Sequence, residues 1–201
     1  MSISEIVLHP EISQKVASLY AAMEEAYNRT AKAIHLTCID CPDNCCDSYF
    51  LHHTYTEWAY LWEGLNQLGG DRLETILAKA GEYVLQSETI LARGERPMLM
   101  CPLNEAGRCT VYAHRMMICR LHGVASTLTR PDGHSMQFPG CFRCQEITRG
   151  KLVAAPMDRT DFFRQLVDLE LELLGKNRGT GSKVKLTLAQ MIVKGPPRLP
   201  W

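Results

Sequence analysis

The sequence predicts a mainly α fold: a single compact helical domain over 1–176 with a loop-rich cysteine site, and a C-terminal arm over 177–201. Three observations predict it. Apolar residues recur at three- and four-residue intervals over most of the chain. Glycine and proline stand at the ends of those stretches. Only one turn signal, Arg130-Pro131-Asp132-Gly133, is placed to join two short strands as a β-hairpin, and it fits a plain loop as well.

In the first helix Ile12, Val16, Leu19, Tyr20, Met23, Tyr27 and Ile34 form an apolar stripe, with Glu11, Lys15, Glu24, Glu25, Arg29 and Lys32 elsewhere on the wheel. It ends just before the first cysteines. A second helix begins at Thr54, where Thr54-x-x-Glu57 reads as a capping box, carries Trp58, Leu61, Trp62 and Leu65, and stops at Gly69-Gly70. Asp71 is placed to cap a third, whose apolar side is Leu73, Ile76, Leu77, Ala80, Val84 and Leu91 and whose end is near Gly94. Another helix runs from Thr160 to Leu174, stopping at Gly175. The tail bears one apolar patch, 186–193, expected to pack back on the domain or onto a partner. Trp58, Trp62, Phe162 and Phe163 read as core anchors.

Composition bounds the function. With 46% hydrophobic and 22% charged residues, the chain is long enough to bury a real core, so metal need not supply all the folding energy. Lys plus Arg total 22 against 22 Asp plus Glu, which leaves no positive field to draw in nucleic acid. The nearest basic patch, Lys176, Arg178, Lys183 and Lys185, reads as a solvated tail. No apolar run approaches the roughly 20 residues that span a bilayer. The start, MSISEIVLHP, carries no basic and apolar leader, so the expected compartment is the cytoplasm, where thiols stay reduced. No phosphate loop, Ser-His-Asp arrangement or paired-carboxylate signature stands out.

The chemistry lies in nine cysteines: Cys38, Cys41, Cys45 and Cys46; Cys101, Cys109 and Cys119; Cys141 and Cys144. An odd count, adjacent Cys45 and Cys46, and the expected compartment rank disulfides second to metal. Cys38-Ile39-Asp40-Cys41 and Cys141-Phe142-Arg143-Cys144 share the two-residue spacer that turns both sulfurs toward one centre. Cys45 and Cys46 project in different directions, so they suit two metals, or one metal and one reserve thiol. Asn104 and Gly107 permit a tight loop between Cys101 and Cys109. Cys119 follows on a short helix that Thr110 is placed to cap, with Arg115 one turn before it and His122 about one turn after.

Four thiolates on Zn²⁺ carry a charge of about −2, which guanidinium groups would offset. Arg108, Arg115, Arg120 and Arg143 are each near a cysteine in sequence and equally read as surface residues. Spacing excludes the bacterial ferredoxin order, the Cys-x3-Cys-x2-Cys order of radical enzymes that use S-adenosylmethionine, and a contiguous zinc ribbon, since the two Cys-x2-Cys pairs lie about a hundred residues apart. The site must be assembled by tertiary structure.

These residues resemble the zinc- or iron-chelating domain family, small bacterial cysteine-cluster proteins with a Cys-x2-Cys-x2-Cys-Cys signature. Cys38, Cys41, Cys45 and Cys46 match it with one extra residue before the last pair. Downstream, where the family has Cys-Pro-x-Leu, then Cys-x-Val/Ile-Tyr-x2-Arg-Pro-x2-Cys-Arg, this chain reads Cys101-Pro102-Leu103, then Cys109, Val111, Tyr112, Arg115, Met116, Cys119 and Arg120. Met116 stands where the family has proline. The resemblance covers roughly residues 38 to 144 and implies metal chelation. A looser similarity to the cysteine-cluster part of flagellin lysine methylases points toward an iron–sulfur cluster.

Three readings follow. The first is a cytosolic metalloprotein holding an iron–sulfur cluster or iron, with zinc as the alternative, through Cys38, Cys41, Cys45, Cys46, Cys101, Cys109, Cys119 and Cys141, with Cys144 as a ninth thiol. It would serve electron transfer, metal handling or structure. The second is an enzyme whose metal keeps an open position near Cys46, Cys144 or His122. The third is a structural zinc staple for a partner-binding helical domain. His52 and His53 read as surface residues ahead of a capped helix. The partner, protein or small molecule, stays open, as do the substrate and any catalytic residue.

Overall fold

The computed structural model describes residues 3–39, 41, 45–150, 155–175 and 183–200. The expected 176/177 boundary, with Lys176 and Arg178, lies outside the described residues. The structure is mainly α, 54% helical, against roughly one third in ordinary globular chains.

Helix α1 (Pro10–Ala33) starts where Pro10 presets the first turn and the His9 ring accepts from Glu11 N. Its buried stripe is Val16, Leu19, Tyr20, Met23, Ala26 and Ala31, the expected periodicity. Helix α2 (Tyr55–Leu65) is buried around almost its whole circumference, because it is enclosed by neighbours rather than laid on a surface. Thr54 caps it, its hydroxyl accepting from Glu57 N at 3.2 Å. The expected return half of a capping box is replaced: the Glu57 carboxylate turns inward to Tyr20 Oη and Met117 N. The amides of Tyr55 and Thr56 instead donate to Glu170 at 2.9 and 2.8 Å, and the Thr56 hydroxyl donates to it at 2.6 Å. This puts a carboxylate on the positive end of α2.

Helix α3 (Gly70–Ala92) is capped by Gly69 without a side-chain bond, so Asp71 sits in the first turn rather than at the cap. It closes at Arg93, and Gly94 follows at φ +77°. Helix α4 (Met117–Leu121) carries Cys119, and α5 (Phe142–Thr148) carries Cys144. Helix α6 (Thr160–Leu174) has the sequence-predicted bounds, and it packs on α1 and α2. Phe162 and Phe163 are half-buried against the core.

The tail returns to the body. Helix α7 (Leu188–Val193), held by a reciprocal Thr187–Gln190 capping box, packs on α3. Its Met191 carbonyl accepts from both Trp58 Nε1 and Trp62 Nε1 at 3.1 Å, so the two buried indoles fasten the tail to α2. Strand β1 (Ile3–Glu5) pairs antiparallel with the last strand, Arg198–Pro200. The turn at 130–133 does join a hairpin: β4 (Ser126–Thr129) pairs antiparallel with β5 (Ser135–Phe138), and β6 (Met157–Asp158) adds in parallel. A smaller hairpin pairs β2 (Asn104–Glu105) with β3 (Arg108–Cys109). Among the described residues no helix is long and apolar enough to cross a membrane.

Candidate metal centre

All nine cysteines are free thiols. Five of them, Cys45, Cys46, Cys101, Cys109 and Cys119, line one cavity of about 60 Å³ together with Arg115, His122, Asn104, Phe50 and Tyr83. Three local devices deliver them. Cys45 and Cys46 open a 3-10 turn, Cys45–Asp47. The Cys46 carbonyl accepts from Cys101 N at 2.9 Å, which ties that turn to the second cysteine segment.

Cys101 and Cys109 are then brought together by the β2–β3 hairpin. Its loop residues Ala106 and Gly107 have φ +50° and +83°, the positive pair of a type I′ turn, and Gly107 N donates to Asn104 Oδ1 at 3.1 Å. The sequence marked Asn104 and Gly107 for this turn but gave no sign that Ala106 would take a left-handed conformation.

Cys119 comes from α4, capped at Met116 rather than at Thr110, which leads instead into the 3-10 turn Tyr112–His114. Met116 has φ −58° and ψ 152°, and Arg115 before it φ −64° and ψ 130°. Both are values that a proline at 116 and its predecessor would adopt. The backbone at Met116 is therefore open to proline.

Of the four arginines, Arg115 faces the thiols. Burial opposes its charge, but Cys119 and Cys45, with Tyr112 and Cys46, outweigh that and raise its pKa. Arg120 turns away: its guanidinium stacks on Tyr20, 4.6 Å from the ring centre, and donates to the carbonyls of Arg115, Tyr112 and Ala113. Arg143 donates to Ile39 O at 3.2 Å, and Arg108 is exposed.

Burial pushes up the thiols of Cys101, Cys109 and Cys119, the last to about 12. The adjacent pair behaves differently. A hydrogen bond between Cys45 and Cys46 raises Cys45 and lowers Cys46 to about 6, with Asn104 and Arg115 adding to the lowering.

His122 packs edge-on against Phe50, and burial, then Arg115, lowers its pKa. It stands at the cavity as a neutral imidazole. His52, expected at the surface, is buried, bridges to Leu186 and is pushed by burial to about 3.

The remaining thiols lie elsewhere. The Tyr27 hydroxyl hydrogen-bonds to Cys38, and its pKa is raised by burial and then by Cys38 and Cys141. Cys141 N donates to Gly123 O at 3.0 Å, and a side chain at Gly123 would meet Tyr27 Oη at 2.5 Å. Cys144 is fully buried behind Cys141. Cys41 N donates to the Cys38 carbonyl at 3.3 Å. Tyr27 was read only as part of the α1 apolar stripe; nothing in sequence distinguishes a core tyrosine from one whose hydroxyl reaches thiols.

Among the described residues, no three His, Cys, Asp or Glu side chains already stand in an arrangement ready to hold a metal ion. No family model, no curated protein and no solved structure matches the chain.

Proposed function

We propose that this chain is a cytoplasmic metal-binding protein, a single mainly helical domain over 1–176 with an arm over 177–201, that holds an iron–sulfur cluster or iron through clustered cysteine thiolates, zinc being the alternative. One observation carries the reading: Cys45, Cys46, Cys101, Cys109 and Cys119, drawn from three chain segments, border a single small cavity whose wall includes Arg115.

The donor set fits such a group. Soft thiolates select iron–sulfur, iron or zinc. The Arg115 guanidinium offsets the charge of several thiolates, and the Asn104 side chain stands beside the Cys46 sulfur and favours its thiolate. The bound group would supply reversible electron transfer if it is iron, or cross-linking of the three segments if it is zinc. The resemblance to the zinc- or iron-chelating domain family supports the same conclusion.

His122 favours a second reading. A neutral imidazole on the cavity wall can fill or vacate a coordination position, as an enzyme with an open metal site requires.

Anaerobic purification with metal analysis, acid-labile sulfide determination and a visible spectrum tests the proposal. Brown protein with iron and sulfide establishes a cluster; colourless protein with stoichiometric zinc replaces it with the zinc version. Protein that binds none of these metals when reduced and reconstituted overturns the reading.

A further inference from the structure

Two of the cavity cysteines are tied to each other through the backbone as well as through the space they border. We propose that Cys46 and Cys101 form a reversible disulfide when the chain meets a hydroperoxide, and that this disulfide and a bound metal exclude each other. The cross-link stands on backbone geometry; the exclusion of metal rests on the metal-binding reading above.

Cys101 N donates to Cys46 O at 2.9 Å. A Cα lies about 2.4 Å from its own carbonyl oxygen and about 1.5 Å from its own amide nitrogen, so the two Cα atoms stand at most about 6.8 Å apart. The N–H must point at the oxygen, which bends that path at nitrogen and shortens it further. A disulfide needs roughly 4.4–6.8 Å between Cα atoms. Both residues border the same cavity, so the bridge would cross shared space rather than packed atoms.

The other pairings lack this tie. Cys45 and Cys46 are consecutive, and consecutive Cα atoms are about 3.8 Å apart, short of the disulfide range. Among the described residues, no backbone hydrogen bond joins Cys109 or Cys119 to another cavity cysteine; the hairpin pairs Cys109 with Asn104.

An oxidant can reach the pair. The cavity of about 60 Å³ is several times the roughly 10–15 Å³ that holds one water, and both cysteines are only half-buried. One thiolate attacks hydrogen peroxide: an S–O bond forms, the O–O bond breaks, and the released hydroxide takes a proton to become water. The partner sulfur then attacks the sulfenic acid, forming S–S as S–O breaks and a second water leaves. Two thiols are oxidised by two electrons and one peroxide is reduced. The disulfide withdraws two thiolates from any metal held at the cavity, since thiolate is the ligand form.

The test treats the reduced, metal-free full chain with one equivalent of hydrogen peroxide, then alkylates, digests without reductant and maps the peptides. The expected result is one principal cross-link, Cys46 to Cys101, with seven of the nine thiols still alkylated and all nine recovered by dithiothreitol. A principal cross-link between any other two cysteines, or oxidation to sulfinic acid with no cross-link, overturns the pair. C46S and C101S should each lose this cross-link and leave on the remaining partner a sulfenic acid that dimedone traps. A variant whose remaining partner cross-links as fast as in the parent overturns the assignment.

Zinc held at one hundred times its Kd should slow the cross-linking about a hundredfold, because only the metal-free fraction reacts. Excess peroxide should then release zinc to a colorimetric chelator. An equal rate with and without bound zinc overturns the exclusion. A chain that binds neither zinc nor iron overturns the metal-binding reading, while the peptide map still decides the disulfide.

Discussion

Glu57 Oε1 accepts the Met117 N–H at 2.8 Å, so a carboxylate from the first turn of α2 holds the first turn of α4, the helix that positions Cys119. The same oxygen accepts from Tyr20 Oη at 3.1 Å, and Thr54 donates to Oε2 at 3.2 Å. Three elements therefore meet on one buried side chain.

Replacing Glu57 with leucine strands Met117 N and the Tyr20 hydroxyl, at about 1–3 kcal/mol for each buried group left unpaired. Glu57→Gln keeps an acceptor for both and should cost less than half as much in a denaturant titration. The pH profile has a definite sign. Burial raises the folded Glu57 pKa above its ordinary value of 4.5, so between that value and the higher folded one the native state binds more protons than the unfolded state. Stability from this group is therefore lost as pH rises through that window. Thermal melts of Glu57→Gln should lack that loss; parallel profiles for the two proteins would refute it.

Two glycines of nearly equal φ separate conformational cost from crowding. Gly133 (φ +82°) has nothing within 4 Å of a built Cβ, whereas at Gly140 (φ +83°) a Cβ would lie 2.6 Å from Gly123 O and 2.8 Å from Cys144 Sγ. Gly133→Ala should lose about 1 kcal/mol, the left-handed penalty alone. Gly140→Ala should lose a further 1–3 kcal/mol or so from overpacking against backbone. Equal urea midpoints for the two variants would mean that the 140–144 turn has slack.

Met116 lets backbone and side chain be weighed against each other. Its φ of −58° accepts a proline ring, and fixing that angle stabilises by about 0.4–1 kcal/mol through the unfolded chain. The methionine side chain, however, is fully buried, and large-to-small core changes cost about 2–5 kcal/mol. Truncation dominates, so Met116→Pro should be destabilised by roughly 1–4 kcal/mol yet keep the α4 cap, visible as native-like amide shifts for 117–121. Loss of those shifts would show that the path around residue 116 needs more than a suitable φ.

The helices were legible because their period is local: Thr160–Leu174 coincides with its sequence bounds, and Val16, Leu19, Tyr20 and Met23 bury as their spacing required. The Cys101–Cys109 loop was legible for the same reason, since Asn104 and Gly107 act within four residues. What escaped depends on contacts far apart in sequence. Glu57 left its capping box for Met117, sixty positions away. His52 was drawn inward by the returning Leu186. Tyr27 gained its thiol neighbours only once Gly123 and Cys141 arrived beside α1. Spacing grouped the thiols, but which of them line one cavity depends on tertiary structure, such as the hairpin turn at Ala106 and Gly107.

Removing metal should separate the thiol site from the helical core. The core is built mostly of apolar side chains such as Val16, Leu61, Leu65 and Met191, with Cys101, Cys109 and Cys119 packed against it, and each buried apolar side chain contributes about 1.5–3 kcal/mol. A chelator added to metal-loaded protein should therefore leave the helical circular dichroism intact. It should remove only the linkage term, about 2.7 kcal/mol at a free metal concentration one hundred times Kd, or a fall in Tm of roughly 5–10 °C for a chain this size. Hydrogen exchange should accelerate at Cys45–Asp47, at 101–109 and in α4, while α1 and α3 stay protected. Collapse of the helical signal would mean that the metal organises the core itself. An unchanged Tm and exchange pattern would mean that the thiols hold no metal.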